Sequence, residues 1–287
     1  MLRSLAALLF APVLLPGAPA LSPSQLQTLA LQVQLDRAHF SPGEIDGRDG
    51  SNTRAAQAAF AAAGVVPDGA PATVPYTITD ADAAGPYAPV PEDMMEQSKL
   101  PALGYTSILE ALGERFHASP ALLKALNPKA TFAAGEQIEV PNVERTPLAG
   151  VAKVIVDQSD HAVIAQDAGG KVLARYPASM GSEHDPLPVG EWKINGASKN
   201  PPEFFYNPDL FWDADSAHSK AKIAPGPNNP VGSVWIDLTK ETYGIHGTPE
   251  PSTIGKTQSH GCIRLTNWDA VALAQAVAPG VVAILQE

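Results

Sequence analysis

The sequence has little cysteine, a deficit of positive charge and few long apolar runs. Its 287 residues contain a single Cys, which excludes an intramolecular disulfide framework and a cysteine-rich zinc module. Its 19 Lys and Arg stand against 30 Asp and Glu, giving a net charge of −11. Nucleic acid and anionic membranes attract cationic surfaces, so this balance argues against either as the main partner. We therefore expect no nucleic-acid partner, and a lone thiol that is either buried and inert or used chemically.

The longest apolar run lies at the N-terminus, within residues 1–20. A cationic start at Arg3 is followed by apolar residues over 5–15, and residues 18–20 (Ala-Pro-Ala) have the small-x-small form of a cleavage site. A membrane-spanning helix needs about 20 apolar residues, so this run is too short to span and has the flanks of a secretory signal. The sequence therefore predicts a signal peptide at 1–20 and export to the periplasm. An uncleaved anchor is the alternative.

Residues 21–69 are predicted to form a small helical module. Apolar positions repeat with a helical period over residues 26–33 and again over 56–63. Between these two stretches lies the loop F-S-P-G-E-I-D-G-R-D-G-S-N. Its last two residues, Ser51 or Asn52, are expected to cap the second helix.

The same loop carries two acidic residues close together, which raises the alternative of a calcium site. The twelfth position counted from Asp46 is Gln57, where a calcium loop requires a bidentate Glu, so we reject that alternative. The order L-Q-x-x-L, F-x-P-G-x-I-D-G and A-x-x-x-F instead resembles the helical peptidoglycan-binding module of cell-wall enzymes. A generic helical hairpin remains the alternative.

Residues 70–102 carry six prolines among Ala and Asp, a composition that predicts a semi-rigid linker without a core of its own. Residues 103–143 then predict two short helices, the second capped by Ser119 and Pro120, and a closing strand at 137–142. The run RFHASPALLKALNP…AGEQIEVPN resembles a LysM carbohydrate-binding module, a small βααβ unit. The usual Gly-Asp turn before its first helix is absent, and a purely structural role is the alternative to glycan binding.

From residue 149 to 287 the periodicity becomes that of β-strands. Several short alternating strands with Gly and Pro between them predict a mainly β domain, a sandwich or barrel-like unit, with one late helix capped by Thr266. The whole chain is thus expected to be a multidomain α+β protein. The segment 200–230 is either a lid over a cleft or part of the core, and its aromatic residues are Phe204, Phe205, Tyr206, Phe211 and Trp212.

The densest chemistry surrounds the lone cysteine. The segments Y-G-I-H-G-T, ending at Thr248, and S-H-G-C-I-R-L, ending at Leu265, hold the only Cys and two of the seven His. A thiol titrates near pH ~8.5, so a nucleophilic cysteine needs a base or a cationic neighbour at neutral pH. The turn residues between His246 and Cys262 allow the chain to fold back and bring the two side by side from adjoining strands. His260 is too close to Cys262 in extended chain to be the base and is expected to be a structural hydrogen bonder.

These residues have four alternative interpretations. A zinc site formed by His246, His260 and Cys262 lacks an evident fourth ligand. A tyrosine-phosphatase loop requires Arg six residues after the Cys, where Trp268 stands. Papain-like hydrolases place the Cys before the His in the chain, whereas here the His comes first. The last alternative is a buried, inert cysteine.

The combination of YGIHGT, SHGCIRL, a following N-x-D-A and a closing V-x-I strand resembles the catalytic domain of the bacterial L,D-transpeptidases. The upstream PLPVGEWKI and PGPNNPVG match the same family, so the resemblance covers about 135 residues from residue 149. It implies a β-rich sandwich-like fold with no metal or organic cofactor. The site residues that it implies are Cys262 as nucleophile, His246 as base, the carbonyl of Gly247 orienting that base, the backbone N–H groups of His260, Gly261 and Cys262 as oxyanion donors, and Arg264, Tyr243 and Ser259 as substrate-binding residues.

The resemblance also implies an activity and its partners. An L,D-transpeptidase forms 3→3 crosslinks between peptidoglycan stem peptides through a thioacyl-enzyme on a tetrapeptide donor. Water in place of an amine would make the same site an L,D-carboxypeptidase or an amidase, and a lipoprotein lysine is an alternative acceptor. The guanidinium of Arg264 would pair with a stem carboxylate, or else form a structural ion pair. A non-catalytic cell-wall-binding protein is the competing class.

Overall fold

A computed structural model describes residues 21–198 and 202–287, so the predicted signal peptide at 1–20 lies outside the described residues. The helices are α1 (Pro23–Arg37), α2 (Ser51–Ala62), α3 (Asp80–Ala84), α4 (Met94–Gln97), α5 (Ile108–Arg115), α6 (Pro120–Leu126) and α7 (Asn267–Ala276). The strands are β1 (Thr73–Thr77), β2 (Gln137–Pro141), β3 (Lys153–Asp157), β4 (Ala162–Gln166), β5 (Val172–Pro177), β6 (Gly190–Ala197), β7 (Phe204–Tyr206), β8 (Ala221–Ile223), β9 (Trp235–Leu238), β10 (Gly244–His246), β11 (Ile263–Arg264) and β12 (Val282–Gln286). No helix in the described part of the chain is long and apolar enough to cross a membrane.

The first two helices form where the apolar period predicts them. Helix α1 starts at a capping box, in which the Ser22 hydroxyl accepts from the Gln25 N–H and the Gln25 side chain accepts from the Ser22 N–H. Helix α2 differs in its cap: Gly50 holds the N-cap position and no side chain caps the helix. The prediction that Ser51 or Asn52 caps α2 is therefore wrong, because the Asn52 side chain bonds to a distant carbonyl instead.

The predicted linker at 70–102 is wrong as well. Strand β1 lies inside it and pairs antiparallel with β2 over five residue pairs, from Thr73 opposite Pro141 to Thr77 opposite Gln137. Strands β1 and β2 with helices α5 and α6 make up a βααβ unit, with α3 and α4 inserted between β1 and α5. Both strands of a two-stranded sheet are edge strands, where the missing N–H of Pro75 is tolerated, and this is why the proline count concealed the strand.

The helical module and the βααβ unit share one core rather than forming separate bodies. Ile45 lies in the loop after α1 and forms a β-bridge with the turn between α5 and α6. Its N–H donates to the His117 carbonyl, and its carbonyl accepts from the Ser119 N–H. Eleven buried apolar side chains join the two units: Leu29, Val33, Ile45, Ile78, Leu112, Ala118, Leu122, Leu123, Phe132, Ile138 and Val140. The boundary predicted at residue 69 is therefore not a break in packing.

The C-terminal part is built on one mixed sheet of eight strands in the order β11-β10-β9-β6-β12-β3-β4-β5. Strand β6 pairs with β12 through its first half and with β9 through its second, with an irregularity between Ile194 and Gly196 where the pairing changes. Helix α7 starts where predicted, since the Thr266 hydroxyl accepts from the Asp269 N–H. The predicted α+β class with a β-rich catalytic domain is confirmed.

The N-terminal units dock against this sheet through backbone pairing and a buried ionic network. Next to the edge strand β5, Ser41 donates its N–H to the Arg175 carbonyl, and Arg175 donates its own N–H to the His39 carbonyl, both at 2.9 Å. In the network, Arg145 contacts Asp36 at the end of α1 and lies 2.9 Å from Asp269 on α7. These contacts hold the N-terminal units in a fixed position on the catalytic domain.

Asp36 is the centre of that network and its removal should destabilise the whole chain. Burial raises the pKa of this carboxyl, but the charges of Arg145 and His117 outweigh burial and hold the pKa at about 2. We expect Asp36→Ala to lower the free energy of unfolding by ~3–5 kcal/mol at neutral pH, since it leaves a buried guanidinium short of a partner. The lowered pKa places the contribution of Asp36 above pH ~4, and the contribution is lost as the pH falls towards 2.

Chemical denaturation at neutral pH measures this effect. The matched control is Asp49→Ala, which removes the ion pair of Asp49 with Arg54, two side chains that are each 62% exposed. Exposed pairs contribute ~0–1 kcal/mol, so the control should stay close to the parent protein. Equal losses in the two variants would contradict the assignment of Asp36 as a buried junction between the units.

Candidate active site

The tertiary structure places His246 at the end of β10 and Cys262 directly before β11, the parallel strand beside it. Strand β10 ends at His246, and β11 begins one residue after Cys262. In the pairing register Ile245 lies opposite Ile263 and His246 lies opposite Arg264.

The imidazole of His246 is oriented from behind by the following peptide. Its Nδ1 lies 2.7 Å from the Gly247 carbonyl oxygen, which fixes the tautomer with the proton on Nδ1 and leaves Nε2 as an acceptor. The ring is buried and stacks on Trp235, with ring centroids 5.4 Å apart. Burial lowers the pKa of His246 to about 4, so the ring is neutral and able to accept a proton at neutral pH.

Burial disfavours the anion of the Cys262 thiol more than the nearby Gly244 N–H and the Arg264 charge favour it. Its Sγ lies 3.7 Å from the Thr242 carbonyl oxygen, on a residue whose φ of 67° places it in the left-handed region. Although the residue is partly accessible, desolvation raises the pKa of the Cys262 thiol above its usual value of 9.0. The directions of the two pKa shifts favour a neutral thiol beside a neutral imidazole, a pair of groups suited to general-base activation of a nucleophile.

The backbone around Cys262 leaves successive N–H donors free. Within the described ranges, no N–H of His260, Gly261 or Cys262 donates to another protein group. Gly261 has a φ of 95°, and a Cβ there would lie 2.9 Å from a ring carbon of Tyr243, so the position requires glycine. Unpaired, fixed N–H groups beside a nucleophile are what an oxyanion requires.

Ser259 is tied to the turn that carries the thiol. Its hydroxyl is buried and donates to the Cys262 carbonyl at 2.5 Å, while its N–H donates to the Gly181 carbonyl. The hydroxyl proton is therefore committed to this turn, only the acceptor capacity of the oxygen is left, and substrate binding by Ser259 stays a prediction.

Arg264 and Tyr243 lie on either side of the same turn. Arg264 donates through Nη2 to the Gln258 carbonyl and, in the described part of the chain, forms no ion pair with a carboxylate. Its remaining guanidinium donors therefore stay available to a substrate carboxylate. The Tyr243 ring packs on Gly261, and the Lys240 ammonium lies 5.4 Å from its centroid.

The side chain of His260 points away from the thiol towards a hairpin formed by β7 and β8. Its Nε2 lies 2.9 Å from Asp213 Oδ1, and its ring centroid is 6.1 Å from that of Trp212. Since His246 bonds Gly247 and His260 bonds Asp213, the two imidazoles serve different elements and do not converge as zinc ligands would. The expectation that His260 is a structural hydrogen bonder agrees with this contact.

Part of the hairpin has the core role that the sequence left open, and the lid role stays a prediction. Tyr206 and Ile223 are buried against Leu103, from the insertion of the βααβ unit, and form a small core of their own. Phe205 and Trp212 are 70% and 61% exposed and lie on the outside. Residues 200 and 201 of the predicted segment lie outside the described residues.

Three residues of the site were missed from the sequence because their contacts are long-range. Asn267, the first residue of α7, accepts the Ser233 N–H on its side-chain oxygen. A Cβ placed on Gly247 would lie 2.0 Å from that oxygen, so the two residues pack closely. Trp235 stacks on His246 and Asp213 bonds His260. Of these, only Asn267 carried a sequence signal, the N-x-D-A pattern after the cysteine motif.

Comparison with known proteins places this site in a known family. The family model for the YkuD L,D-transpeptidase catalytic domain matches residues 152–284. The YqjB protein of Bacillus subtilis strain 168, named as an L,D-transpeptidase, is 33% identical over 142 residues, which are 47% of this chain and 70% of YqjB. The similarly named YkuD of the same strain is 29% identical over 174 residues, 60% of this chain and 89% of YkuD.

Among solved structures, an L,D-transpeptidase from Mycobacterium smegmatis aligns with a TM-score of 0.39 and 21% identity. That alignment covers 54% of this chain and 65% of the mycobacterial chain. The match to the family model and the identity with YqjB over most of its length establish the assignment. The chain therefore belongs to the L,D-transpeptidase family, cysteine-dependent acyltransferases that act on peptidoglycan stem peptides.

Proposed function

We propose that this L,D-transpeptidase forms 3→3 crosslinks through Cys262, with a tetrapeptide stem as acyl donor. His246 removes the thiol proton as Sγ attacks the carbonyl carbon of the third residue, meso-diaminopimelate. The carbonyl oxygen becomes an oxyanion held by the free N–H groups at His260, Gly261 and Cys262. The C–N bond to the terminal D-Ala then breaks, the departing amine takes the proton from His246, and a thioester remains on Cys262.

The second half of the cycle resolves the thioester. The side-chain amine of a diaminopimelate on a neighbouring stem attacks the thioester carbonyl, and His246 accepts the proton lost by that amine. The C–S bond breaks, the proton returns to Cys262, and the new amide joins the third residues of the two stems. Arg264 binds a carboxylate of the donor stem, and Tyr243 lines the approach to the thiol.

One observation carries this proposal: His246 ends β10, and Cys262 directly precedes β11, the strand that pairs in parallel with β10. The Nδ1 of His246 is committed to Gly247, so Nε2 is the nitrogen available for the proton of Cys262. The free backbone donors beside the thiol complete the set of groups that acyl transfer requires.

We also propose roles for the N-terminal units and a location. The helical module (21–69) and the LysM-like unit would contact glycan. Because both are docked on the catalytic domain, they would hold the glycan at a fixed place relative to the thiol. Peptidoglycan lies outside the cytoplasmic membrane, so the protein acts there. Residues 1–20 would direct it to the periplasm.

Incubation with purified tetrapeptide muropeptides, followed by mass spectrometry of the products, tests the activity. We expect dimers joined between third residues, with one D-Ala released per crosslink. Tripeptide monomers without dimers would mean that water resolves the thioester and that the protein is an L,D-carboxypeptidase. Loss of preformed dimers would indicate an amidase, and a product that requires an added lipoprotein with a free lysine would indicate protein attachment.

A further inference from the structure

We propose that Asn52, a residue of the N-terminal helical module, is a positioning residue for Arg264 in the active site. Asn52 lies outside the matched catalytic domain at 152–284 and reaches that domain across the interface between the units. The proposal rests on the proposed function in one respect, namely that Arg264 binds the carboxylate of the donor.

The contact is a close one between Asn52 and the loop that follows the catalytic histidine. The Asn52 Nδ2 donates to the Ile254 carbonyl at 2.9 Å. Its Oδ1 would be 2.6 Å from a Cβ placed on Gly255, which has a φ of 74°. The amide group therefore packs directly on a left-handed glycine, and the loop has no room to shift towards it.

From this loop the contacts continue to Arg264 through Ser179. The Gly255 N–H donates to the buried Ser179 hydroxyl oxygen at 3.1 Å. Ser179 and Arg264 exchange two backbone hydrogen bonds, of 2.8 and 3.0 Å, in an antiparallel bridge. Asn52 of the N-terminal module thus contacts the loop at Gly255, Gly255 bonds Ser179, and Ser179 bonds Arg264.

The guanidinium end of Arg264 is held by the same loop. Its Nη2 donates to the Gln258 carbonyl, three residues after Gly255. The Thr257 hydroxyl lies 3.3 Å from that of Ser179, so the stretch between Gly255 and Gln258 is fixed at both ends. Loosening the loop at Ile254 should therefore displace the acceptor that aims the guanidinium, while the thiol turn keeps its own hydrogen bond from Ser259 to the Cys262 carbonyl.

The expected consequence is a selective defect. Acylation of Cys262 by a carbapenem, which carries a carboxylate, should slow about fivefold to thirtyfold when the Asn52 donor is lost, as for the loss of one buried hydrogen bond. Alkylation of the same thiol by iodoacetamide, which has no carboxylate, should change less than twofold, because a displaced guanidinium keeps the charge that lowers the pKa of Cys262. A general loosening of the fold would alter both rates together, so the ratio of the two rates separates positioning from stability.

The test measures both second-order rate constants on the full chain by mass spectrometry. Asn52→Asp is the main variant, because it keeps the size and the oxygen of Asn but cannot donate to Ile254. Asn52→Ala is the second variant. Gln57→Ala is the control, since Gln57 is exposed on the same helix and its side chain forms no hydrogen bond within the described residues. We expect the carbapenem rate alone to fall in both Asn52 variants and neither rate to change in the control.

Arg264→Ala distinguishes failure of the positioning proposal from failure of the proposed function. If Arg264→Ala slows the carbapenem selectively and the Asn52 variants do not, Arg264 binds the carboxylate and the proposed positioning by Asn52 is overturned. If Arg264→Ala leaves the ratio of rates unchanged, the carboxylate role of Arg264 fails, and the proposal fails with it. A proportional loss of both rates in the Asn52 variants would also overturn positioning.

Discussion

Replacing Cys262 by Ala is expected to abolish acylation completely, with no adduct detectable by intact-mass spectrometry after incubation with a carbapenem. Cys262 is the only cysteine of the chain, so no other thiol can take its place. Removal of a catalytic nucleophile costs on the order of 10⁶-fold in turnover where it has been measured. Without the thiol no tetrahedral adduct forms, so the oxyanion donors of this variant have no negatively charged oxygen to stabilise.

Two controls make this result specific to the nucleophile. Cys262→Ser keeps the shape of the side chain but has an oxygen of much higher pKa, and it should also form no adduct. The free energies of unfolding of both variants should stay close to that of the parent protein, because no described side chain depends on the thiol for a hydrogen bond. Persistent labelling of Cys262→Ala by the carbapenem would refute the assignment of the nucleophile.

The second large effect is expected for His246→Gln, which should slow acylation by ~10²–10⁴-fold at neutral pH. In the proposed mechanism the parent protein moves the thiol proton to a neutral imidazole, whereas the variant would depend on the small fraction of thiol that ionises unaided. Burial keeps that fraction low, since it raises the pKa of Cys262 above 9.0. The rate of the variant should therefore rise about tenfold for each pH unit up to pH 9, and its deficit should shrink there.

The pH profile of the parent protein checks the same assignment from the acid side. His246 acts as a base only when neutral, and burial lowers its pKa to about 4 from an ordinary 6.5. The second-order rate constant for acylation should therefore stay level as the pH falls through 6.5 and decline only near pH 4. A decline centred on pH 6.5, or a variant whose rate does not rise with pH, would contradict His246 as the buried base.

The catalytic domain could be predicted largely from the sequence because its signals are local. Alternating apolar residues place strands such as β3 and β12, and the Thr266–Asp269 pair marks the start of α7. The segments around His246 and Cys262 are short and unusual in composition, so their pairing could be inferred from the turn residues between them. The hydrogen bond from His246 to Gly247 is itself a local contact between neighbouring residues.

The N-terminal half was predicted less well because its signals are long-range. Strand β1 was concealed by prolines, and its partner β2 lies about 60 residues further along the chain. Asn52 has the side chain of a helix cap and lies at the start of a helix, yet its amide bonds Ile254, more than 200 residues away. Likewise, no local pattern in the sequence indicates that the Ser259 hydroxyl closes the turn at Cys262.

The family of this protein can be inferred from residues close together in the chain: one cysteine, a histidine that precedes it, and glycines around both, in an order typical of one enzyme family. How the units are joined becomes visible in the folded chain. Asp36, Arg145 and Asp269 lie far apart in the chain and meet in one buried network that no linker composition predicts. The physical reason is that reactive motifs are specified by neighbours in sequence, whereas docking depends on burial and on pairing of charges between segments that only folding brings together.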